Sequence, residues 1–227
     1  FGKFSVYARM VLLMTAALLA VGWAGTCLLE WNNPETLGGM TVGEKLLNGF
    51  FQSATLRTAG FAAIDQAKLT ESGKAFSCVL MSIGGSSGST AGGIKTVTFL
   101  VLALTIWARA RGKSTVCAFK RTIPDEQTQN AMIIAFIVLA LAVFGGIFIS
   151  ATSPMSFTDA VYEAVSALAT VGLSAGGTAS LSIPAQILII IYMYFGRVGV
   201  LTISLGFLAG DRAEERFRYA ETNLLIG

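Results

Sequence analysis

Histidine is absent from the 227-residue sequence, and charged residues make up only 13% of it. The lack of histidine argues against a serine or cysteine hydrolase, because such enzymes activate their nucleophile with a neighbouring base that is usually histidine. Soluble globular domains carry about 25% charged residues, so a chain with so few is poorly suited to water. Its cysteines, Cys27, Cys78 and Cys117, have no metal-ligand spacing, and two of them lie in apolar stretches as small buried residues. The composition predicts an integral membrane protein.

Long apolar runs separate the charged parts of the chain. Residues 6–29, 131–149 and 187–209 each hold roughly the ~20 residues that cross a ~30 Å hydrocarbon core, and they are too numerous for a signal peptide. The basic residues lie between these runs rather than in one stripe, so they do not predict nucleic-acid binding. By the positive-inside rule, the basic regions share the cytoplasmic side, which predicts a multi-pass protein of the cell membrane with cytoplasmic termini. These regions contain Lys3 and Arg9; Arg109, Arg111, Lys113, Lys120 and Arg121; and Arg212, Arg216 and Arg218.

The chain divides into two similar halves, each with two spans and a shorter segment between them. Segments of that length cannot cross the membrane, so we expect them to be re-entrant half-helices. The predicted fold class is an all-α integral membrane protein with two helix–pore loop–helix repeats of the potassium-channel type, half of a pseudo-fourfold pore. The predicted order is a first repeat over residues 1–112 (span 6–29, pore helix 41–56, filter 57–61, broken span 75–111), a cytoplasmic linker over 113–128, a second repeat over 129–210 (span 129–150, pore helix 156–169, filter 170–174, span 184–210) and a cytoplasmic tail over 211–227.

Two short sequences at the ends of the half-helices match each other. Residues 53–61 read SATLRTAGF and residues 166–173 read SALATVGL, with one residue inserted in the first. Threonine, a small apolar residue and glycine after a half-helix is the chemistry of a potassium filter, in which backbone carbonyls replace the ion's water and glycine permits the backbone. One such loop could be ordinary, but its recurrence in matching positions favours a filter. The candidate filter residues, whose carbonyls would bind K+, are Thr58, Ala59, Gly60 and Phe61 and then Thr170, Val171, Gly172 and Leu173.

A glycine-rich segment, residues 84–96, interrupts the second span of the first repeat. A lipid-facing helix would not contain so many glycines and hydroxyls, so the segment should break the helix inside the protein. It is not a phosphate loop, because Ile94 stands where that motif requires glycine. Residues 84–88 match the G-x-S-x-G pattern of serine hydrolases, although the chain has no histidine to serve as base. A helix-contact motif of small residues at Gly84, Gly88 and Gly92 is the remaining alternative.

With these motifs the whole chain resembles the Trk/Ktr/HKT superfamily of potassium transporters, whose subunits hold four helix-pore-helix repeats around one pore. Residues 55–61, TLRTAGF, look like that family's third filter, and residues 169–174, ATVGLS, like its fourth. The ending, with RFRY at 216–219, is most like the bacterial Ktr membrane subunit. In the family, glycine at the filter position goes with K+ preference and serine with Na+ permeation. Glycine at both positions here implies K+ transport, with Na+ symport as in some relatives and no cofactor beyond the transported ion.

The resemblance also implies a gate in the ion pathway. In the family the stretch matching the glycine-rich segment obstructs the cavity, and an arginine of the last span contacts it. The implied gate residues are Gly84, Gly85, Ser86, Ser87, Gly88, Ser89, Thr90, Ala91, Gly92, Gly93, Lys95 and Arg197. A charge such as Arg197 at membrane depth costs at least ~2.5 kcal/mol, so we expect it to bind carbonyls or hydroxyls of the segment. Lys95 could do likewise or extend toward the cytoplasm, and Arg57 is expected to be a structural tether of the pore helix.

Two filter loops are half of what a potassium pore needs. We therefore expect this chain to be the carboxyl-terminal half of a four-repeat subunit that forms homodimers; the alternative is a two-repeat protein that pairs with itself. By resemblance, the cytoplasmic partner would be a nucleotide-binding regulatory ring of the RCK type. The competing functions are a passive assembly subunit and an intramembrane serine hydrolase.

Overall fold

The computed structural model of the protein describes residues 4–86 and 88–199, and helices dominate both ranges. Two of these helices, Val6–Glu30 and Asp125–Thr152, are long and apolar enough to cross a membrane. Thr96–Ala110 and Ile183–Val198 are shorter apolar helices. In chain order the elements are α1 Val6–Glu30, α2 Val42–Thr55, α3 Glu71–Ser82, α4 Thr96–Ala110, β1 Cys117–Ala118, β2 Arg121–Thr122, α5 Asp125–Thr152, α6 Phe157–Leu168 and α7 Ile183–Val198.

Hydroxyl side chains begin both short helices, α2 and α6. Thr41 caps α2 and forms a capping box with Glu44, and Ser156 caps α6 by accepting from the backbone N–H of Asp159. Such caps satisfy amide donors that have no partner inside the helix. The two elements are helical where the sequence predicted half-helices.

The helices pack as two units, one for each repeat. In the first repeat α2 packs on α1, and in the second repeat α6 packs on α5 and α7. The α3–α6 and α4–α5 contacts join the repeats. The outward faces are strongly apolar, with large exposed side chains such as Leu28, Phe136 and Ile190. Apolar outer faces around a core of this kind are what a helical protein presents to lipid.

The structure moves the starts of two predicted spans: α3 begins at Glu71 rather than at residue 75, and α5 begins at Asp125 rather than at residue 129. Helix α5 begins at Asp125, inside the expected linker, because Pro124 precedes a first turn containing Asp125 and Glu126, which suits a helix amino terminus. The rest of that linker forms the β1–β2 hairpin, which the sequence analysis did not anticipate. Helix α7 is described to Val198, and the remainder of the predicted last span to residue 210 and the tail over 211–227 lie outside the described residues.

Candidate ion pathway

The two half-helices end at loops that touch each other. The first filter loop, residues 58–61, follows α2, and the second filter loop, residues 170–173, follows α6. A Cβ added to Gly60 would overlap the carbonyl oxygen of Val171. The structure therefore brings the two predicted filters together and requires glycine at the point where the first meets the second.

The loops have the same unusual backbone. Thr58 has φ 69° and Gly60 has φ 78°, while Thr170 has φ 56° and Gly172 has φ 89°. Positive φ is expected for glycine but is an outlier for a β-branched residue such as threonine. Strained residues of this kind persist only where their surroundings hold them, and they concentrate at functional sites. In both loops the threonine and the glycine of the Thr-x-Gly motif thus have left-handed backbone conformations.

A hydroxyl of each half-helix holds the far end of its loop. Thr55 donates to the carbonyl of Phe61 at 2.6 Å and accepts from the Phe61 N–H at 2.8 Å. In the second repeat, Ser166 donates to the carbonyl of Leu173. In its hydrogen bonding, the residue of the first repeat that corresponds to Ser166 is therefore Thr55. Ser53, which the sequence comparison aligned with Ser166, instead donates to a carbonyl of α1. Between the anchoring hydroxyl and the end of the loop, the second repeat has one residue more than the first. The sequence comparison placed the extra residue in the first repeat, so its alignment was wrong by this criterion.

A buried carboxylate holds the residues that directly follow the second filter loop. Glu163 on α6 is 5% exposed and accepts from the Ala175 N–H at 3.0 Å and from the Thr178 hydroxyl at 2.9 Å. The Ser174 hydroxyl also donates to it. Sequence reasoning missed Glu163. The available signal was a single charged residue in the stretch 160–168, which is otherwise uncharged.

A buried polar network lies between the two half-helices. The amides of Gln52 and Gln66 bind each other, with the shorter N–O distance 2.6 Å, and the Tyr162 hydroxyl donates to Gln66 at 3.0 Å. Gln52 belongs to α2 and Tyr162 to α6, and all three side chains are buried. Satisfied networks of this kind fix relative positions because leaving one member unpaired is costly. This network, which was not predicted from the sequence, fixes the position of α2 relative to α6 and so the positions of the two filter loops that follow them.

The glycine-rich segment forms a non-helical loop between α3 and α4, described except for Ser87. Its ends pair like strands, with the Gly84 N–H donating to Ile94 at 2.9 Å and the Ile94 N–H to Ser82 at 2.9 Å. The helix-contact alternative for its glycines is therefore wrong, because the described residues between Ile83 and Lys95 are not helical. Strand-like pairing satisfies backbone groups that the broken helix leaves free.

The segment reaches the start of the second filter loop. The Gly92 N–H donates to the Thr170 hydroxyl at 2.7 Å. A Cβ on Gly92 would lie 2.9 Å from the Ala169 carbonyl and from the Thr170 methyl, which is closer than a side chain tolerates. The middle of the segment thus contacts the filter and not only the helices around it.

Three cationic side chains bind carbonyls of the segment. Arg197, in the last turn of α7, donates to Thr90 at 3.0 Å, which is the type of contact expected for it. Lys95 folds back onto the carbonyl of Ala91. Arg57 contacts the Gly84 carbonyl and a carbonyl of α1, each at 3.4 Å, so it links the loop, the segment and α1, a wider tether than predicted.

A cavity of about 360 Å³ lies on the first-repeat side of the segment. Arg57 and Thr58 line it together with segment residues such as Ser86 and Thr90. Its walls include hydroxyl and guanidinium groups, which suit water and ions better than lipid.

Apolar outer helices, paired half-helices and touching Thr-x-Gly loops define a membrane protein of the pore-loop transport class. Residues 4–215 match the family model described as TrkH, cation transport protein. The chain belongs to the TrkH family of cation transport proteins. This membership confirms the predicted superfamily and the prediction that the chain is not an enzyme, so the hydrolase hypothesis is wrong.

Relatives and a solved structure agree with this assignment. The chain is 37% identical over 98% of its length to "Ktr system potassium uptake protein B" of Vibrio alginolyticus, covering 48% of that protein. It is 36% identical over 99% of its length to "Potassium/sodium uptake protein NtpJ" of Enterococcus hirae, covering 51% of it. The crystal structure of the potassium transporter TrkH from Vibrio parahaemolyticus matches 90% of the chain and 44% of that protein, with TM-score 0.66 and 20% identity, and confirms the fold. The chain spans about half the length of the curated relatives it matches.

Proposed function

We propose that this chain contributes two of the four filter loops of a K+ uptake transporter in the cell membrane. The observation that carries the proposal is the matched pair of loops, each with a left-handed threonine and a left-handed glycine two residues apart, in contact at Gly60 and Val171. Alternating left-handed residues turn successive carbonyls toward one side, which is the arrangement that can replace the hydration shell of K+. The carbonyl oxygens of residues 58–61 and 170–173 are the proposed ligands.

The half-helices add electrostatic support. Both α2 and α6 end directly at a filter loop, so their carboxyl ends carry partial negative charge toward the proposed ion. The proposed orientation puts the filter on the outer side, with the β1–β2 hairpin and both termini in the cytoplasm.

The glycine-rich segment is the proposed gate. It contacts Thr170 at the inner end of the second filter loop, and Arg197 brings a fixed positive charge to it. A cation leaving the filter would meet that charge, which raises a barrier until the segment moves. The proposed gate residues are those predicted from the sequence, with Ser87 outside the described residues.

The complete pore needs two further filter loops. By resemblance to the family, we propose that two more repeats of the same subunit supply them, that subunits form homodimers, and that an RCK-type regulatory ring binds the cytoplasmic face. The name of the Enterococcus hirae relative includes sodium, which supports testing Na+ as a coupled ion.

Complementation of bacteria that lack potassium uptake tests the proposal. The assembled transporter containing this chain should restore growth at low K+ and take up Rb+, and Gly172→Ser should reduce the preference for K+ over Na+. Gly43→Ser is the matched control, because a Cβ at Gly43 meets nothing within 4 Å and its φ is not positive. If the unaltered transporter takes up no Rb+, or if Gly172→Ser leaves ion preference unchanged, the filter assignment is wrong.

A further inference from the structure

The two filter threonines have the same backbone conformation but different partners. The Thr170 hydroxyl accepts the Gly92 N–H of the glycine-rich segment at 2.7 Å. Within the described residues, the Thr58 hydroxyl makes no hydrogen bond, and Thr58 lines the 360 Å³ cavity. One of two equivalent positions is thus bound to the segment and the other is not.

Two glycines make the Thr170 contact possible. A Cβ on Gly92 would lie 2.9 Å from the Thr170 methyl, and so would a Cβ on Gly196 of α7. Thr170 therefore lies between the segment and the last helix, in close contact with a glycine of each. Neither neighbour could carry a side chain without moving away from the filter.

The Thr170 hydroxyl oxygen can accept the Gly92 N–H or act as a ligand of a cation in the filter. A hydroxyl can accept through its lone pairs, and an oxygen that already accepts an N–H is a poorer ligand for a cation. A cation bound there would in turn weaken the bond to Gly92. Thermodynamic linkage requires the two effects to be equal. The factor by which the Gly92 amide lowers the affinity for the cation is the factor by which the cation lowers the affinity for the amide.

We propose that Thr170 is the residue through which the glycine-rich segment and the innermost cation site control each other. With the segment bound, the Gly92 amide occupies the hydroxyl and weakens the site; with a cation bound, the hydroxyl releases Gly92 and the segment loosens. Thr58 takes no part in this exchange. The inference rests on the proposed function and adds to it the group that couples filter to gate.

The test measures how readily the segment opens. Thr90→Cys puts an exposed thiol on the segment, in a chain whose native cysteines are replaced (Cys27→Ala, Cys78→Ala, Cys117→Ser). Its rate of modification by a charged methanethiosulfonate reagent is compared in saturating K+ and in choline, and Rb+ uptake is measured on the same membranes. K+ should raise the rate about fivefold to tenfold, the population change expected for loss of one hydrogen bond.

Three variants separate the hydroxyl from the general loss of a filter ligand. Thr170→Val keeps the shape but removes the acceptor, so the thiol should react fast without K+ and should no longer respond to K+. Thr170→Ser should behave like the unaltered filter. Thr58→Val should keep the K+ response, because its hydroxyl does not bind the segment.

Gly92→Ala approaches the same bond from the segment and leaves the filter sequence intact. The added methyl should push the segment off Thr170 and give the same fast, K+-independent modification. The inference is overturned if Thr170→Val and Gly92→Ala keep the K+ response, if Thr58→Val loses it equally, or if K+ has no effect in the unaltered filter while Rb+ uptake is normal. Absence of Rb+ uptake would overturn the proposed function, and the inference with it.

Discussion

The two filter loops share one backbone conformation but are supported in different ways. The first leaves Phe61 72% exposed, and its support comes from both hydrogen bonds of Thr55. In the second, Val171 and Leu173 are each 4% exposed, Ser166 binds the carbonyl of Leu173, and Glu163 binds the residues that follow the loop. Within the described residues, a hydroxyl thus holds the end of each loop, and only the second loop has a buried carboxylate just beyond that end.

The two loops show that the Thr-x-Gly motif determines the backbone conformation of the loop, whereas side chains of the half-helix determine which hydrogen bonds hold it. Thr58 and Thr170 have positive φ in both loops despite different neighbours. Strain of about 1–3 kcal/mol per such residue must be offset locally. Changes to the motif should therefore affect ion preference in both loops, whereas changes to the support should affect one loop only.

The largest effect is expected at Gly60. Serine there would combine a positive φ with overlap of its Cβ and the Val171 carbonyl, so Gly60→Ser should abolish Rb+ uptake and lower the yield of folded protein. Gly172 also has a positive φ, but a Cβ there meets nothing within 4 Å, so Gly172→Ser adds backbone strain without overlap. It should fold with somewhat lower stability and retain uptake with altered ion preference. Uptake and size-exclusion profiles in detergent measure both. Equal losses in the two variants would mean that the loops do not contact each other as described.

Removal of the carboxylate should be the next largest effect. Glu163→Ala leaves the Ala175 N–H and the hydroxyls of Ser174 and Thr178 without their acceptor. An unpaired buried donor costs about 1–3 kcal/mol, and of these three residues only Ala175 is buried, while Thr178 is exposed and its hydroxyl also binds Ser174. The total should therefore be roughly 3 kcal/mol. Thermal unfolding in detergent and K+/Na+ competition should both report the change.

Two further substitutions control for this interpretation. Glu163→Gln keeps one acceptor oxygen and should lie between the parent and the alanine variant. Glu71→Gln removes an acid whose side chain is 68% exposed, and it should change little. A Glu163→Ala protein with unaltered selectivity would show that the second loop does not depend on its carboxylate.

The parts of the candidate site that could be predicted from the sequence are those with a local pattern. Half-helix length, the Thr-x-Gly motif and the density of glycine in residues 84–96 are all readable along the chain, and so is Arg197 as a costly charge needing acceptors. Glu163, Gln66 and Tyr162 were missed because their partners lie far apart in sequence or on another helix. The pairing of Thr55 with Ser166 was missed for a related reason, since it depends on which hydroxyl faces the loop rather than on which letters align.

A smaller and unequal effect is expected from the two hydroxyl anchors. Thr55→Val removes two hydrogen bonds to Phe61 and should cost about 2 kcal/mol, while Ser166→Ala removes one to Leu173 and should cost about 1 kcal/mol. Ser53→Ala is the matched control, because its hydroxyl binds α1 and not a filter loop. Selectivity should fall more in Thr55→Val than in Ser166→Ala, whose loop keeps Glu163. The reverse order would contradict the difference in support between the loops.

The smallest effect is expected at the junction of the repeats, where Lys74 of α3 binds Asp159 of α6 at 2.7 Å. The Lys74 side chain is 7% exposed, so Lys74→Met should lower stability by about 1 kcal/mol, more than an exposed pair contributes. Lys68→Gln breaks an exposed 3.8 Å pair with Glu35 and should have almost no effect. Ion preference should stay unchanged in both, because the Gln52–Gln66–Tyr162 network still joins the half-helices. If Lys74→Met alone loses selectivity, then the Lys74–Asp159 ion pair, rather than the buried network, holds the two filter loops in position relative to each other.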